Sequence, residues 1–244
     1  MRSGNPVLNQ KTFDRVAPIG GQDVMTLSGT VNKTALLLLI LVFAASFTWE
    51  QVADNSQAAT TWITVGMIGG LICAMVTIFK KNYAPISAPI YAAFEGLFLG
   101  ALSMIFNSAY PGIVTQAVAL TFGTLFALLL AYRSGLIKPT ENFKLGIVAA
   151  TGGIFFFYLV TMILGLFGVD MSFMRGSSTL SIGISAVVVV IAALNLVLDF
   201  DFIENGSEQG LPKYMEWYGA FGLMVTLIWL YIEILHLLSK LRER

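Results

Sequence analysis

Two carboxylic acids lie inside long apolar stretches of this sequence, and their chemistry raises the first question about function. Asp199 lies at the end of the run LSIGISAVVVVIAALNLVLDF, and Glu233 interrupts the run AFGLMVTLIWLYIEILHLL. An ionisable side chain among hydrocarbon groups is costly, so it usually faces a partner, a proton pathway or a water-filled cavity. A carboxyl group in such a place can exchange a proton or bind a passing cation. Both residues are therefore candidates for a functional site.

The neighbours of Asp199 add a short polar stripe to its helix. Asn195 precedes Asp199 by four residues, so the two side chains are expected on one helix face. Asp201 follows two residues later and is expected to point elsewhere, toward the membrane interface. A competing interpretation makes Asp199 an ordinary helix-end acid in headgroup water.

Glu233 has polar and aromatic neighbours at helical spacing. Trp229 lies four residues before it, and His236, the one histidine of the chain, lies three residues after it on the same face. Roughly fifteen apolar or aromatic residues precede Glu233, which predicts a position well below either membrane interface. The residue is a candidate proton switch, and the alternative is a structural hydrogen bond between helices.

A third acid, Glu95, lies next to a small-residue pattern. Gly96 and Gly100 form a GxxxG sequence, which lets two helices approach closely in a membrane. Glu95 is expected at or beside this tight interface. A packing role and a functional role are equally compatible with the sequence.

The elements that must position these acids are membrane-spanning helices. The chain is 57% hydrophobic and 11% charged, whereas soluble domains carry about 25% charged residues. A helical span needs about 20 apolar residues, and seven runs qualify or nearly qualify: Thr34–Trp49, Thr60–Phe79, Ala88–Phe106, Ile113–Tyr132, Leu145–Phe167, Leu180–Leu198 and Trp217–Leu238. The sequence predicts an all-α, polytopic bundle of about seven transmembrane helices. Residues 1–33 are expected to form a polar cytoplasmic leader, and residues 34–244 a single transmembrane domain.

The distribution of basic residues predicts the orientation of the spans. The leader and the second, fourth and sixth connections hold Arg2, Lys11, Arg15, Lys33, Lys80, Lys81, Arg133, Lys138, Lys144 and Lys213. The other three connections hold only Arg175. Basic loops stay inside, so a cytoplasmic N-terminus in the inner (plasma) membrane is expected. Seven crossings would place the basic tail outside, unless one late run is re-entrant.

Several classes of function have little support in the sequence. Glu233 and His236 match one half of a di-iron ExxH pattern, but that site needs a second such motif. Ser185 has no pattern that would make it a nucleophile, and no HExxH zinc motif is present. The net charge is zero with no basic block, which argues against nucleic-acid binding. No enzymatic activity and no cofactor are expected.

Three segments carry a resemblance to a known family. They are PIYAAFEGLFLG from Pro89, LDFDFI from Leu198 and LYIEILHLL from Leu230. In order and spacing they resemble the Bax inhibitor-1/YccA-like family of membrane proteins, also called the transmembrane Bax inhibitor motif family. The segments SGNPVL from Ser3 and GTVNKT from Gly29 resemble a bacterial branch of it. The resemblance covers essentially the whole chain.

The resemblance implies a function for the two late acids. In the family, a hydrogen-bonded acid pair senses pH and governs a calcium leak, and the matching positions here are Asp199 and Glu233. This chain departs from the usual pattern: glutamate replaces the second aspartate, and Leu198 replaces the usual tyrosine. No intramembrane arginine matches the one that some members place beside the pair.

The resulting expectation is a pH-sensitive cation leak, with calcium as the permeant ion and the lipid bilayer as the surroundings. Asp199 and Glu233 would form the ion pathway and pH sensor, with Glu95, Asn195, Asp201 and His236 in secondary roles. The main alternative is a helical regulator of a membrane partner, such as a protease, without conduction. A secondary transporter would predict inverted repeats, and no internal symmetry is evident in the sequence.

Overall fold

The computed structural model describes residues 24–167 and 176–244. Within these residues the chain forms seven α-helices, and a 3-10 turn at Lys81–Tyr83 leads into the third. The helices are α1 (Leu27–Asp54), α2 (Ala58–Phe79), α3 (Ala84–Ala109), α4 (Ile113–Arg133), α5 (Glu141–Leu166), α6 (Thr179–Glu208) and α7 (Met215–Arg242). All seven are long and apolar enough to cross a membrane. The prediction of an all-α, multi-pass membrane protein is confirmed.

Two helices extend beyond the apolar runs that predicted them. α1 begins at Leu27, because the Thr26 side chain caps it by accepting a hydrogen bond from the Gly29 N–H. α6 continues to Glu208, ten residues beyond Leu198, where the predicted apolar run ended. Polar residues continue a helix readily once its backbone hydrogen bonds have been established by the apolar span. Gly210, with φ of 64°, then ends the extension.

The described residues divide into two compact units. Unit 1 contains residues 115–167, 176–201 and 226–244, and unit 2 contains residues 24–114 and 202–225. The boundaries fall inside α6 and α7, which therefore contribute residues to both units. Asp199 and Glu233 belong to unit 1, whereas Glu95 belongs to unit 2.

In unit 2, glycines bring α3 into close contact with α1 and α2. A side chain at Gly96 would overlap the Leu41 carbonyl, and one at Gly100 would overlap the Ala45 carbonyl. On α2, a Cβ atom at Gly66 would lie 2.6 Å from the Phe98 backbone nitrogen of α3. The packing role predicted for the GxxxG sequence is confirmed, and its partner is α1.

A buried acid also joins the first and last segments of unit 2. Glu216, at the start of α7, is fully buried and forms an ion pair with Lys33. It accepts hydrogen bonds from the Thr26 backbone nitrogen at 2.9 Å and from the Thr26 hydroxyl at 2.8 Å. The Met25 nitrogen also donates to the Leu211 carbonyl at 2.6 Å. The start of α1 is thus fixed to the connection before α7.

Candidate functional site

Glu233 is held in unit 1 by two neutral hydrogen-bond donors. Its side chain is 6% exposed. The Tyr158 hydroxyl on α5 donates to the two carboxyl oxygens, at 3.0 and 3.3 Å. The Trp229 indole nitrogen, one turn earlier on α7, donates at 3.2 Å. The predicted proximity of Trp229 is confirmed, and Tyr158 is an additional partner on another helix.

A lysine is the charged neighbour of this acid. Lys240 lies seven residues after Glu233 on α7 and acts electrostatically on its carboxylate. Its ammonium group donates to the Ser185 hydroxyl of α6 at 2.9 Å. A spacing of seven residues, two helical turns, places Lys240 on the same face of α7 as Glu233. His236, three residues after Glu233, has an exposed side chain.

Asp199 and Asn195 are both buried inside unit 1, with exposed fractions of 0% and 1%. The Asn195 amide nitrogen donates to the Thr151 hydroxyl of α5 and to the Ile191 carbonyl, both at 2.8 Å. α6 continues nine residues beyond Asp199. The interpretation of Asp199 as a helix-end acid in headgroup water is therefore wrong.

Asp201 forms an ion pair with Lys144, a residue that was predicted to lie in the fourth connection. Its carboxylate lies 2.8 Å from the ammonium group of Lys144. Lys144 lies one turn inside α5 rather than in the connection before it, and it is 5% exposed. Glu141 approaches the same ammonium group at 3.4 Å. Asp201 therefore belongs to a largely buried ion pair between α5 and α6.

Glu95 faces α2 within unit 2, on a different side of α3 from the contact with α1. A Cβ atom at Gly70 would lie 2.7 Å from the Glu95 carboxyl oxygen. Tyr91, one turn earlier on α3, forms a hydrogen bond with Glu95. The two side chains line a cavity of about 270 Å³ together with apolar residues of both helices.

The positions of Asp199 and Glu233 along their helices differ. Asp199 lies nine residues before the end of α6, and Glu233 lies eighteen residues after the start of α7. At about 1.5 Å per residue, these positions are about 14 Å and about 27 Å from the connection between the two helices. The hydrogen bonds described for Glu233 come from Tyr158 and Trp229. Direct pairing of the two acids stays a prediction.

The chemistry of unit 1 combines buried acids with hydroxyl, amide, indole and ammonium groups. These groups can hold a carboxylate, pass a proton or supply oxygen ligands to a cation. A family model described as Bax inhibitor 1 like matches residues 5–243, nearly the whole chain. Searches of curated proteins and of solved structures gave no significant match. Placement in a bacterial branch stays a prediction.

Proposed function

Because the chain belongs to the Bax inhibitor 1 like family, we propose that it is a pH-sensitive cation leak channel without enzymatic turnover. Calcium is the proposed permeant ion. The observation that carries the proposal is the burial of both Asp199 and Glu233 within apolar helices of one unit. Buried acids in such helices are typical of ion and proton pathways. The proposed location is the inner (plasma) membrane, with a cytoplasmic N-terminus.

Protonation of the two acids would control the pathway. When they share a proton, the carboxyl groups attract each other and close the pathway, because two adjacent carboxylates resist joint ionisation. Because the two acids lie about 14 Å and about 27 Å along their helices from the connection, pairing would need one helix to be tilted, broken or displaced along the membrane normal. When the proton leaves, the groups separate, and Tyr158 and Trp229 are available to hold the Glu233 carboxylate. Carboxylate oxygens are then available to a calcium ion, which prefers oxygen ligands.

Calcium flux into liposomes tests this proposal. The full-length protein and its Asp199→Asn and Glu233→Gln variants are reconstituted, and flux is measured between pH 5 and pH 8. We expect flux through the unmodified protein to rise with pH. We expect each variant to lose most of this pH dependence, because an amide cannot exchange the proton. Glu208→Gln serves as the matched control, since Glu208 is an exposed acid at the end of α6.

The outcomes separate the proposal from its main alternative. If Glu208→Gln behaves like the unmodified protein while the other two variants have flat pH profiles, the channel proposal is supported. If the unmodified protein conducts no calcium, or if all four proteins share one pH profile, the proposal fails. A regulator of a membrane partner, such as a protease, then becomes the better hypothesis.

A further inference from the structure

One amide oxygen in unit 1 has an orientation that its neighbours determine. The Asn195 amide nitrogen carries two hydrogens, and they are donated to Thr151 Oγ1 and to the Ile191 carbonyl oxygen. Exchanging the amide's nitrogen and oxygen would place two carbonyl oxygens 2.8 Å apart, with no proton between them. The reversed orientation is therefore excluded. The Oδ1 atom of Asn195 must point away from the Ile191 carbonyl.

This oxygen is buried without a donor among the residues that the structure describes. Asn195 is 1% exposed, and its Oδ1 accepts no hydrogen bond there. Buried polar atoms in folded proteins are nearly always satisfied. An acceptor without a donor in an apolar surrounding therefore points to a ligand that can supply positive charge or a proton.

The next turn of α6 carries an acid, Asp199, whose carboxylate would attract a cation. Asp199 is fully buried and lies on the same helix face as Asn195, one turn later. A carboxylate and an amide oxygen at this spacing are both hard ligands, which calcium and similar cations prefer. The amide's donors are used elsewhere, so Asn195 presents its acceptor.

We propose that Asn195 Oδ1 and the Asp199 carboxylate together bind a partly dehydrated calcium ion on the buried face of α6. Thr151 is a positioning residue, because its hydroxyl accepts from the amide and so directs Oδ1 toward the ion. Water completes the coordination, since two protein ligands are fewer than the six to eight oxygens that calcium takes. The inference rests on the proposed function, because it assigns the ion a binding position on the proposed pathway.

Equilibrium dialysis of the purified full-length protein against radioactive calcium tests this site without measuring flux. The variants are Asn195→Leu, which keeps the size but removes the oxygen, and Asn195→Asp, which keeps an oxygen. Thr151→Val removes the positioning acceptor. Asn107→Leu is the matched control, because the Oδ1 atom of Asn107 already accepts a hydrogen bond from the Gly112 N–H at 3.0 Å. Circular dichroism verifies the helix content of each protein.

We expect Asn195→Leu to weaken calcium binding at least about tenfold. Removal of a group that only supports a metal ligand already lowers metal affinity by about 10–100-fold. Thr151→Val should weaken it less, and Asn195→Asp should retain it. Calcium should also raise the thermal midpoint of the unmodified protein and of Asn195→Asp, but not that of Asn195→Leu. Asn107→Leu should match the unmodified protein in both measurements.

Two results would overturn the inference. One is an Asn195→Leu variant that binds calcium as tightly as the unmodified protein, which would assign the Oδ1 position to water. The other is an unmodified protein that binds no calcium in dialysis. Neither result depends on flux. Unchanged calcium binding by Asn195→Leu, together with a pH-dependent flux through the unmodified protein, would remove this site and keep the proposed function. Absence of flux through the unmodified protein would remove the proposed function.

Discussion

At the scale of single residues, the groups that hydrogen-bond Glu233 differ from the groups that can respond to pH. Tyr158 and Trp229 both donate hydrogen bonds to Glu233, and neither side chain changes its own charge near neutral pH. They can hold the carboxylate but cannot themselves respond to pH in that range. In the proposed channel, the response to pH therefore comes from the acids. The two donors determine how strongly the ionised form of Glu233 is stabilised.

Removing one donor should change the pH at which calcium flux begins. Tyr158→Phe deletes the hydroxyl that contacts both oxygens of Glu233 and leaves the ring in place. We expect flux to require a higher pH in this variant, because the carboxylate loses a stabilising hydrogen bond. Liposome flux measured across the same pH range checks this expectation.

Tyr91→Phe is the matched control, because Tyr91 forms a hydrogen bond with a different buried acid, Glu95. It should leave the pH profile unchanged. A Tyr158→Phe profile identical to that of the unmodified protein would show that this hydrogen bond does not influence the proposed sensor. An altered profile in Tyr91→Phe alone would indicate that the hydrogen bond of Glu95, and not that of Glu233, influences the pH dependence of flux.

At the scale of helices, the glycine contacts of unit 2 make one substitution decisive. A Cβ atom at Gly100 would overlap the Ala45 carbonyl and the Thr48 hydroxyl of α1, whereas nothing lies within 4 Å of one at Gly123 of α4. Gly100→Ala should therefore destabilise the protein by about 1–3 kcal/mol, the usual cost of overpacking. Gly123→Ala should be neutral or stabilising by up to about 1 kcal/mol, because alanine favours helices.

Thermal unfolding in one detergent, followed by circular dichroism, compares these two variants. The midpoint should fall for Gly100→Ala and should stay the same or rise for Gly123→Ala. Equal midpoints for the two variants would mean that α1 moves aside at no cost. The close contact at Gly100 would then be unimportant for stability.

Helices were predictable from the sequence where hydrocarbon thickness requires a long apolar run. All seven predicted runs correspond to helices, because each must satisfy its own backbone hydrogen bonds in lipid. Their ends were less predictable. Residues 204–208 are polar yet helical. An apolar run marks only the part of a helix that lies in hydrocarbon, so it does not reveal polar turns that continue the helix outside it.

Site contacts within one helix were predictable, but contacts between helices were not. Trp229 follows from a spacing of four residues, whereas Tyr158 and Thr151 reach their partners from α5. In a membrane protein both the lipid-facing and the protein-facing sides of a helix are apolar, so no amphipathic stripe reveals which side faces inward. The buried position of Lys144 was missed for a related reason, because its charge suggested a loop.

At the scale of the whole molecule, the lengths of the last helices bear on the side of the tail. α6 has 30 residues and α7 has 28, and each exceeds the roughly 20 residues that a crossing requires. A re-entrant segment would be shorter or interrupted. We therefore expect α7 to cross the membrane completely, despite the basic residues of the tail.

Cysteine labelling in intact cells tests this crossing. Lys213→Cys lies before α7 and Arg244→Cys lies after it, and each is made in a Cys73→Ser background. A membrane-impermeant thiol reagent should label residue 244 in intact cells and residue 213 only after the cells are opened. Labelling of both positions under the same condition would show that α7 does not cross.

The contacts of Glu216 have a consequence for the order in which the protein is made. Thr26 and Glu216 are 190 positions apart in the sequence, and Lys33 and Glu216 are 183 apart. A growing chain therefore presents Lys33 to the insertion machinery long before its acidic partner has been synthesised. A ribosome that stops before residue 216 leaves α1 without this attachment. The contacts that fix the start of α1 can therefore form only after the start of α7 has been synthesised. Attachment of the first helix is thus one of the last steps in the assembly of the protein.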